Sequence, residues 1–137
     1  MPDIQYVDSP DVVNSEILWR VVPPNYCDDV SVSDVSAINI SEGAFRTKEM
    51  SVFRSSKITI KEVLCKFPPG SIVTAFPASL ARDLPPTGVG CILVLDPDDL
   101  SHVLVCPKDN PKKRLAGGQA TIFRNHATIL RPGATLL

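Results

Sequence analysis

Residues 89–106, VGCILVLDPDDLSHVLVC, decide how the chain folds. Two short apolar runs, Cys91–Leu95 and Val103–Cys106, flank a polar break that holds Asp96, Pro97, Asp98, Asp99, Ser101 and His102. Apolar runs this short, bounded by proline and acids, suit buried strands better than a buried helix. The stretch therefore predicts a strand pair whose connecting loop carries the polar groups, among them one of the chain's two histidines.

Upstream, Ser71–Phe76 reads as a strand running into Pro77, and Ala78–Leu84 as a short helix with Pro77 in its first turn and Pro85-Pro86 as its stop. Leu80, Ala81 and Leu84 would face inward and Arg82 and Asp83 outward. A second short helix has a complete start signal in Thr59-Ile60-Lys61-Glu62, a capping box with Thr59 as N-cap. Ile60, Val63, Leu64 and Phe67 then recur on one face, and Pro68-Pro69-Gly70 ends the pattern. A two-turn helix is not stable alone, so that face must dock on the sheet.

Further back, Ile17–Val22 predicts a first strand closed by Pro23-Pro24. Trp19 is its core anchor, and alternation sends Arg20 to the opposite face. Asn25–Glu42 is rich in Ser, Asp and Asn and reads as an extended loop, whereas Gly43–Arg46 and Met50–Arg54 read as two strands around Thr47-Lys48-Glu49. Residues 1–14 read as a flexible N-terminal arm ahead of one globular domain over 15–137. After the central pair, Pro111–Gly118 suggests a basic loop or a single helical turn, and Thr121–Phe123 and Ala127–Leu130 suggest two last strands. The sum is α+β: mostly antiparallel sheet of short strands with two short helices.

Composition narrows the function classes. A net charge of −1 provides no global attraction to nucleic acid or an anionic membrane. The one basic cluster, Lys108, Lys112, Lys113 and Arg114, is diluted by Asp109 and prolines and reads as a solvated loop. No apolar run approaches the roughly 20 residues of a membrane span. The acidic N-terminus lacks the pattern of a signal peptide, so a cytoplasmic location is expected. The four cysteines form no CxxC and no metal-ligand spacing. All four are expected as thiols in a reducing compartment, and neither a metal nor a cofactor is expected. Thirteen prolines, about twice the usual share, punctuate many short elements.

The candidate site residues follow from these placements. His102 begins a strand beside Asp96, Asp98 and Asp99, where a carboxylate would orient the imidazole for acid–base chemistry. A strand-edge histidine with a purely structural partner is the commoner case, and no nucleophile elbow accompanies it. Arg20 is a candidate bidentate ligand for phosphate or carboxylate. Ser51, beside Phe53 on one strand face, is a candidate cleft wall, and Arg46, Arg54 and Lys57 add positive charge nearby. There is no P-loop, GxGxxG, HExxH or EF-hand pattern.

The stretches LWRVVPP, GAFRTKEMSVF, FPPGSIVTAFPASLARDL and DPDDLSHVLVCPK resemble a family of small uncharacterised bacterial proteins. That resemblance implies a bacterial cytosolic protein and directs attention to Arg20, Phe45, Ser51, Asp96, Pro97 and His102. A second resemblance is to ADP-ribosyltransferase-like toxin domains, on the order Arg20, Gly43-Ala44-Phe45, Ser51-Val52-Phe53. It implies NAD chemistry, for which those domains use a late glutamate. The chain has no glutamate after Glu62, and Asp96, Asp98 or Asp99 would have to substitute.

Two functions are thus expected from the sequence. One is a binding or interaction module taking a protein partner or an anionic small molecule. The other is a small ADP-ribosyltransferase-like or phospho-ligand enzyme, with Arg20, Phe45, Arg46, Ser51 and Asp96 at the ligand and His102 as acid or base. The two differ in one geometric respect: the enzyme requires Arg20, Ser51 and His102 to converge in one concave site.

Overall fold

The computed structural model describes residues 5–28, 39–82 and 90–130. In chain order these form β1 (Ile17–Val22), the dipeptide strands β2 (Cys27–Asp28) and β3 (Asn39–Ile40), β4 (Met50–Arg54), α1 (Ile60–Leu64), β5 (Ile72–Pro77), α2 (Ala78–Arg82), β6 (Cys91–Asp96), β7 (Asp99–Pro107), α3 (Gly117–His126) and β8 (Thr128–Leu130). Six strands build one antiparallel sheet in the order β6-β7-β4-β1-β5-β8, while β2 and β3 pair separately. The class is α+β, as the sequence predicts. No helix among the described residues is long and apolar enough to cross a membrane.

The central stretch forms the hairpin β6–β7, with Leu93 opposite Val105 and Leu95 opposite Val103. The register then jumps, because Asp96 lies opposite Asp99 and leaves Leu100, Ser101 and His102 unmatched on β6. The extra residues on β7 make a bulge that re-aims the side chains at the hairpin tip.

Directly opposed residues share a sheet face, which sorts the core into two layers. Trp19, Phe53 and Val73 lie on one face under α1, whose Val63 is fully buried against them. Leu18, Met50, Val52, Ile72, Phe76 and Leu93 lie on the other, beneath α2 and α3. The α1 capping box is complete: the Glu62 N–H donates to Thr59 Oγ1 at 3.1 Å, and the Thr59 N–H to Glu62 Oε1 at 3.1 Å. Phe67, half-buried, meets Phe53 edge-on at 6.1 Å.

Two expectations require correction. Thr121–Phe123 belongs to α3 and is not a strand, so β8 has no hairpin partner there and pairs with β5. Leu115, Ala120 and Phe123 fill the core from this segment, and Gln119 Oε1 accepts the Ala116 N–H at 3.0 Å in the helix's first turn. Packing of Phe123 against Phe76 at 4.9 Å overrides the strand propensity of Thr121-Ile122-Phe123. Gly43–Arg46 is not a strand either. Glu42–Ala44 is a single 3-10 turn, which delivers Phe45 into the core. Of the loop read over 25–42, residues 29–38 lie outside the described residues, as do Asp83 and Leu84 at the foreseen end of α2.

Of the arm expected over residues 1–14, the first four lie outside the described residues. Residues 6–14 are a strap bound around the β6 edge of the sheet. Tyr6 packs against Val94, Leu104 and Cys106 on the α1 face. The Ser9 N–H donates to the Leu93 carbonyl at 2.8 Å, the Asp8 carboxylate accepts the Leu93 N–H at 2.9 Å, and Val12 is fully buried on the opposite face. From α2, Arg82 holds the strap through Asp8 Oδ1 at 3.1 Å, the Ser9 carbonyl at 2.8 Å, the Val12 carbonyl at 2.6 Å and Asn14 Oδ1 at 2.8 Å. The start of β6 lies so close to α2 that a Cβ on Gly90 would sit 1.9 Å from the Arg82 carbonyl oxygen, which only glycine permits.

Candidate functional site

The tip of the β6–β7 hairpin gathers the acidic residues and the histidine foreseen from the sequence. His102 Nδ1 and Asp96 Oδ2 are 2.9 Å apart, each side chain about a fifth exposed. The imidazole leans on Phe53, its cross-strand neighbour, with ring centroids 5.3 Å apart. Lys66, just after α1, places its ammonium 5.9 Å from the centre of the same Phe53 ring. Asp96 also accepts the Asp98 N–H at 2.8 Å, and Asp99 accepts the Ser101 N–H at 3.0 Å and the Ser101 hydroxyl at 2.6 Å. These are turn-forming carboxylates, each folding the chain back on itself two residues later.

Their charges are fixed by the same contacts. The hydrogen bond with His102 holds the Asp96 carboxyl below its ordinary value, against the opposing effect of burial. Asp99 is lowered first by its bond from Ser101, with Lys66 and His102 adding to it. The tip is therefore anionic at neutral pH. Ser101 is bonded to Asp99 rather than to His102, so the tip does not hold the serine–imidazole contact that activates a nucleophile.

Arg20 is elsewhere. It opposes Thr74 on β1 and leaves the sheet on the face opposite Trp19, whereas His102 shares the face of Phe53 and Trp19. Its fork is engaged by the backbone: Nε and Nη2 donate to the Ala44 carbonyl at 3.1 and 2.8 Å, and Nη1 to the Ser51 carbonyl at 3.0 Å. The β1–β4 ladder ends at Trp19 opposite Phe53, and the guanidinium substitutes for the ladder bonds beyond that point. Burial pushes its pKa down to about 10, partly offset by Tyr26.

The other candidates separate too. Phe45 is fully buried and stacks on Phe123 at 6.2 Å. Arg46 is exposed. Ser51 lies opposite Leu104 on the His102 face, half-buried. The structure thus brings together Asp96, His102 and the Phe53 ring, and leaves Arg20, Phe45 and Arg46 outside that group. The basic cluster near residue 110 is dispersed, with Lys113 paired to Asp109 at 3.6 Å and Lys112 over the Tyr6 ring at 5.7 Å.

Sequence reasoning missed two features. The first is the buried ion pair of Arg54 and Glu16, 3.0 Å apart, in which Arg54 also donates to the carbonyls of Asp11 at 3.0 Å and Leu100 at 3.4 Å. Burial alone would raise the Glu16 carboxyl, but hydrogen bonds from Arg54 and from the Ser56 hydroxyl hold it below its ordinary value. The second is a cleft of about 400 Å³ between the strap and the hairpin, lined by Gln5, Val7, Asp8, Ser9, Pro10, Leu95 and Pro97. Both depend on where the strap lies, and no local pattern in residues 5–16 marks that.

Among the described residues Cys65, Cys91 and Cys106 are free thiols. Burial pushes Cys91 and Cys106 up to about 12, so neither is a thiolate nucleophile. No group of His, Cys, Asp and Glu among the described residues is arranged to hold a metal ion. No protein-family model, curated protein or solved structure matches the chain.

Proposed function

We propose that the protein is a binding module whose partner is a protein segment, held at the hairpin tip and the adjoining cleft. The observation that carries this reading is the separation of Arg20 from His102. The guanidinium that an anionic substrate would need is bonded to two backbone carbonyls on the far face of the sheet. The surface around His102 instead presents three aspartates, Asp96, Asp98 and Asp99, the first and last with carboxyls held below their ordinary values, which disfavours a phosphorylated or nucleotide-like ligand. Two apolar side chains are exposed to solvent, Leu100 on β7 at 59% and Val7 on the strap at 62%. The reading includes a bacterial cytoplasmic setting. Its support is the resemblance of the sequence and the free state of Cys65, Cys91 and Cys106.

A thermal-shift panel of nucleotides, NAD and phosphorylated metabolites tests the reading. No member is expected to raise the melting temperature. A nucleotide that stabilises the wild-type chain, and loses that effect in Arg20→Met, would restore the enzyme reading and overturn this one. A peptide-display selection on the folded chain supplies the positive arm. It is expected to return binders that converge on one sequence pattern and compete for the hairpin tip.

A further inference from the structure

Resting on the binding-module reading, we infer that the β6 edge at Leu95 accepts an extended, cationic peptide strand, laid into the cleft between the strap and the hairpin.

The backbone geometry comes first. In an antiparallel pair, alternate residues turn their N–H and C=O toward the partner strand and away from it. Leu93 turns both groups outward, where Ser9 and the Asp8 carboxylate engage them. Leu95 is two residues on and in the same register, opposite Val103, so its N–H and C=O also face out of the sheet. The strap does not continue along the strand to meet them. Among the described residues its backbone bonds to β6 stop at Leu93, and the cleft opens between Val7, Pro10, Leu95 and Pro97. An edge with open backbone groups is the template on which strand addition operates.

The chemistry of the occupant follows from what borders that edge. Val7 and Pro97 offer apolar contact for alternate side chains of an extended peptide. The turn beyond Leu95 carries Asp96, Asp98 and Asp99, with two of the three carboxyls held below their ordinary values. Lys66 and His102 are the positive or titratable groups acting on this turn, from the chain just after α1 and from β7. Three carboxylates against one lysine favour a strand that alternates apolar residues with lysine or arginine.

The probe is the acetylated, amidated heptapeptide Lys-Val-Lys-Val-Lys-Val-Lys, titrated into the full chain and followed by amide NMR. The expected result is saturable shifts at Leu95 and Asp98, slowed hydrogen exchange of the Leu95 amide, and weakening at high salt. Asp98→Lys, at an exposed turn position, is expected to weaken binding about fivefold or more while leaving the fold intact. Equal binding of the Glu-Val counterpart would overturn the charge class. Equal binding of a fully N-methylated peptide, or shifts confined to another surface, would overturn strand addition. Concentration-dependent self-association abolished by Asp98→Lys would make a second copy the occupant and overturn the inference in that way. The nucleotide panel tests the binding-module reading separately, so failure of strand addition and failure of that reading are distinguishable.

Discussion

Arg20 and His102 leave the same sheet on opposite faces: Arg20 opposes Thr74, beneath the layer that holds Phe45, and His102 opposes Phe53, beside α1. Because side chains alternate along a strand, no rotamer change brings the two together. Arg20 bridges separating strands instead. Replacing it with methionine keeps much of the volume but leaves the Ala44 and Ser51 carbonyls without their donors, at a cost of about 2–4 kcal/mol. Lysine, a point donor, is expected to recover less than half of that loss. Chemical denaturation of the variants checks this, and an Arg20→Met chain as stable as the wild type would remove the bridging role.

The Glu16–Arg54 pair is buried on both sides, with side chains 5% and 7% exposed. Removing one partner strands the other charge away from water. Glu16→Ala is therefore expected to destabilise the fold by about 3–5 kcal/mol. Replacing both residues with apolar ones removes the stranded charge but leaves the Asp11 and Leu100 carbonyls unmet, so the double variant should recover only part of the loss. A double-mutant cycle by urea denaturation measures the coupling, and additivity of the two single changes would show that the pair does not act as a unit.

The same pair sets an acid limit. The Glu16 carboxyl is held below its ordinary 4.5, so the folded state releases its proton more readily than the unfolded chain does. The stabilisation is present above the unfolded value and is lost as pH falls through the folded one. Asp96 and Asp99, lowered from 3.8, act in the same sense. Melting temperature should hold steady near neutrality and fall below about pH 5. In Glu16→Gln the overall melting temperature should be lower and the acid slope shallower. An unchanged slope would assign acid sensitivity to other carboxyls.

Legibility of the fold in the sequence followed the range of the interactions. The α1 helix was readable because its capping box, apolar face and proline stop all lie within a dozen residues of Thr59. The β6–β7 hairpin was readable for the same reason. The α3 helix was not, because a β-branched and aromatic triplet suggests a strand and only Phe45 and Phe76, distant in sequence, make Phe123 a helix core residue. The strap was invisible for a similar reason: Asp8 meets Leu93 and Arg82, and Glu16 meets Arg54, across long stretches of chain. At the candidate site, the Asp96–His102 neighbourhood could be read from adjacency, whereas the exclusion of Arg20 needed the sheet faces.

His102 is the residue on which stability and recognition are most easily confused. It bonds to Asp96 at 2.9 Å and covers part of Phe53, with its side chain 21% exposed. His102→Ala removes a charge-assisted bond and some aromatic contact from a partly solvated position, so the expected cost is about 1–2 kcal/mol. His102→Asn retains a donor toward Asp96 but not the ring contact, and should recover part of the loss. Asp96→Asn keeps the side-chain oxygen that accepts the Asp98 N–H, so its effect should come mostly through His102. The two residues should then be coupled in a double-mutant cycle by about 0.5–1.5 kcal/mol. Denaturation of the four chains measures the cycle. Zero coupling would mean that the hairpin tip is held by the Asp99–Ser101 and Asp96–Asp98 turn bonds alone, leaving His102 without a structural task there.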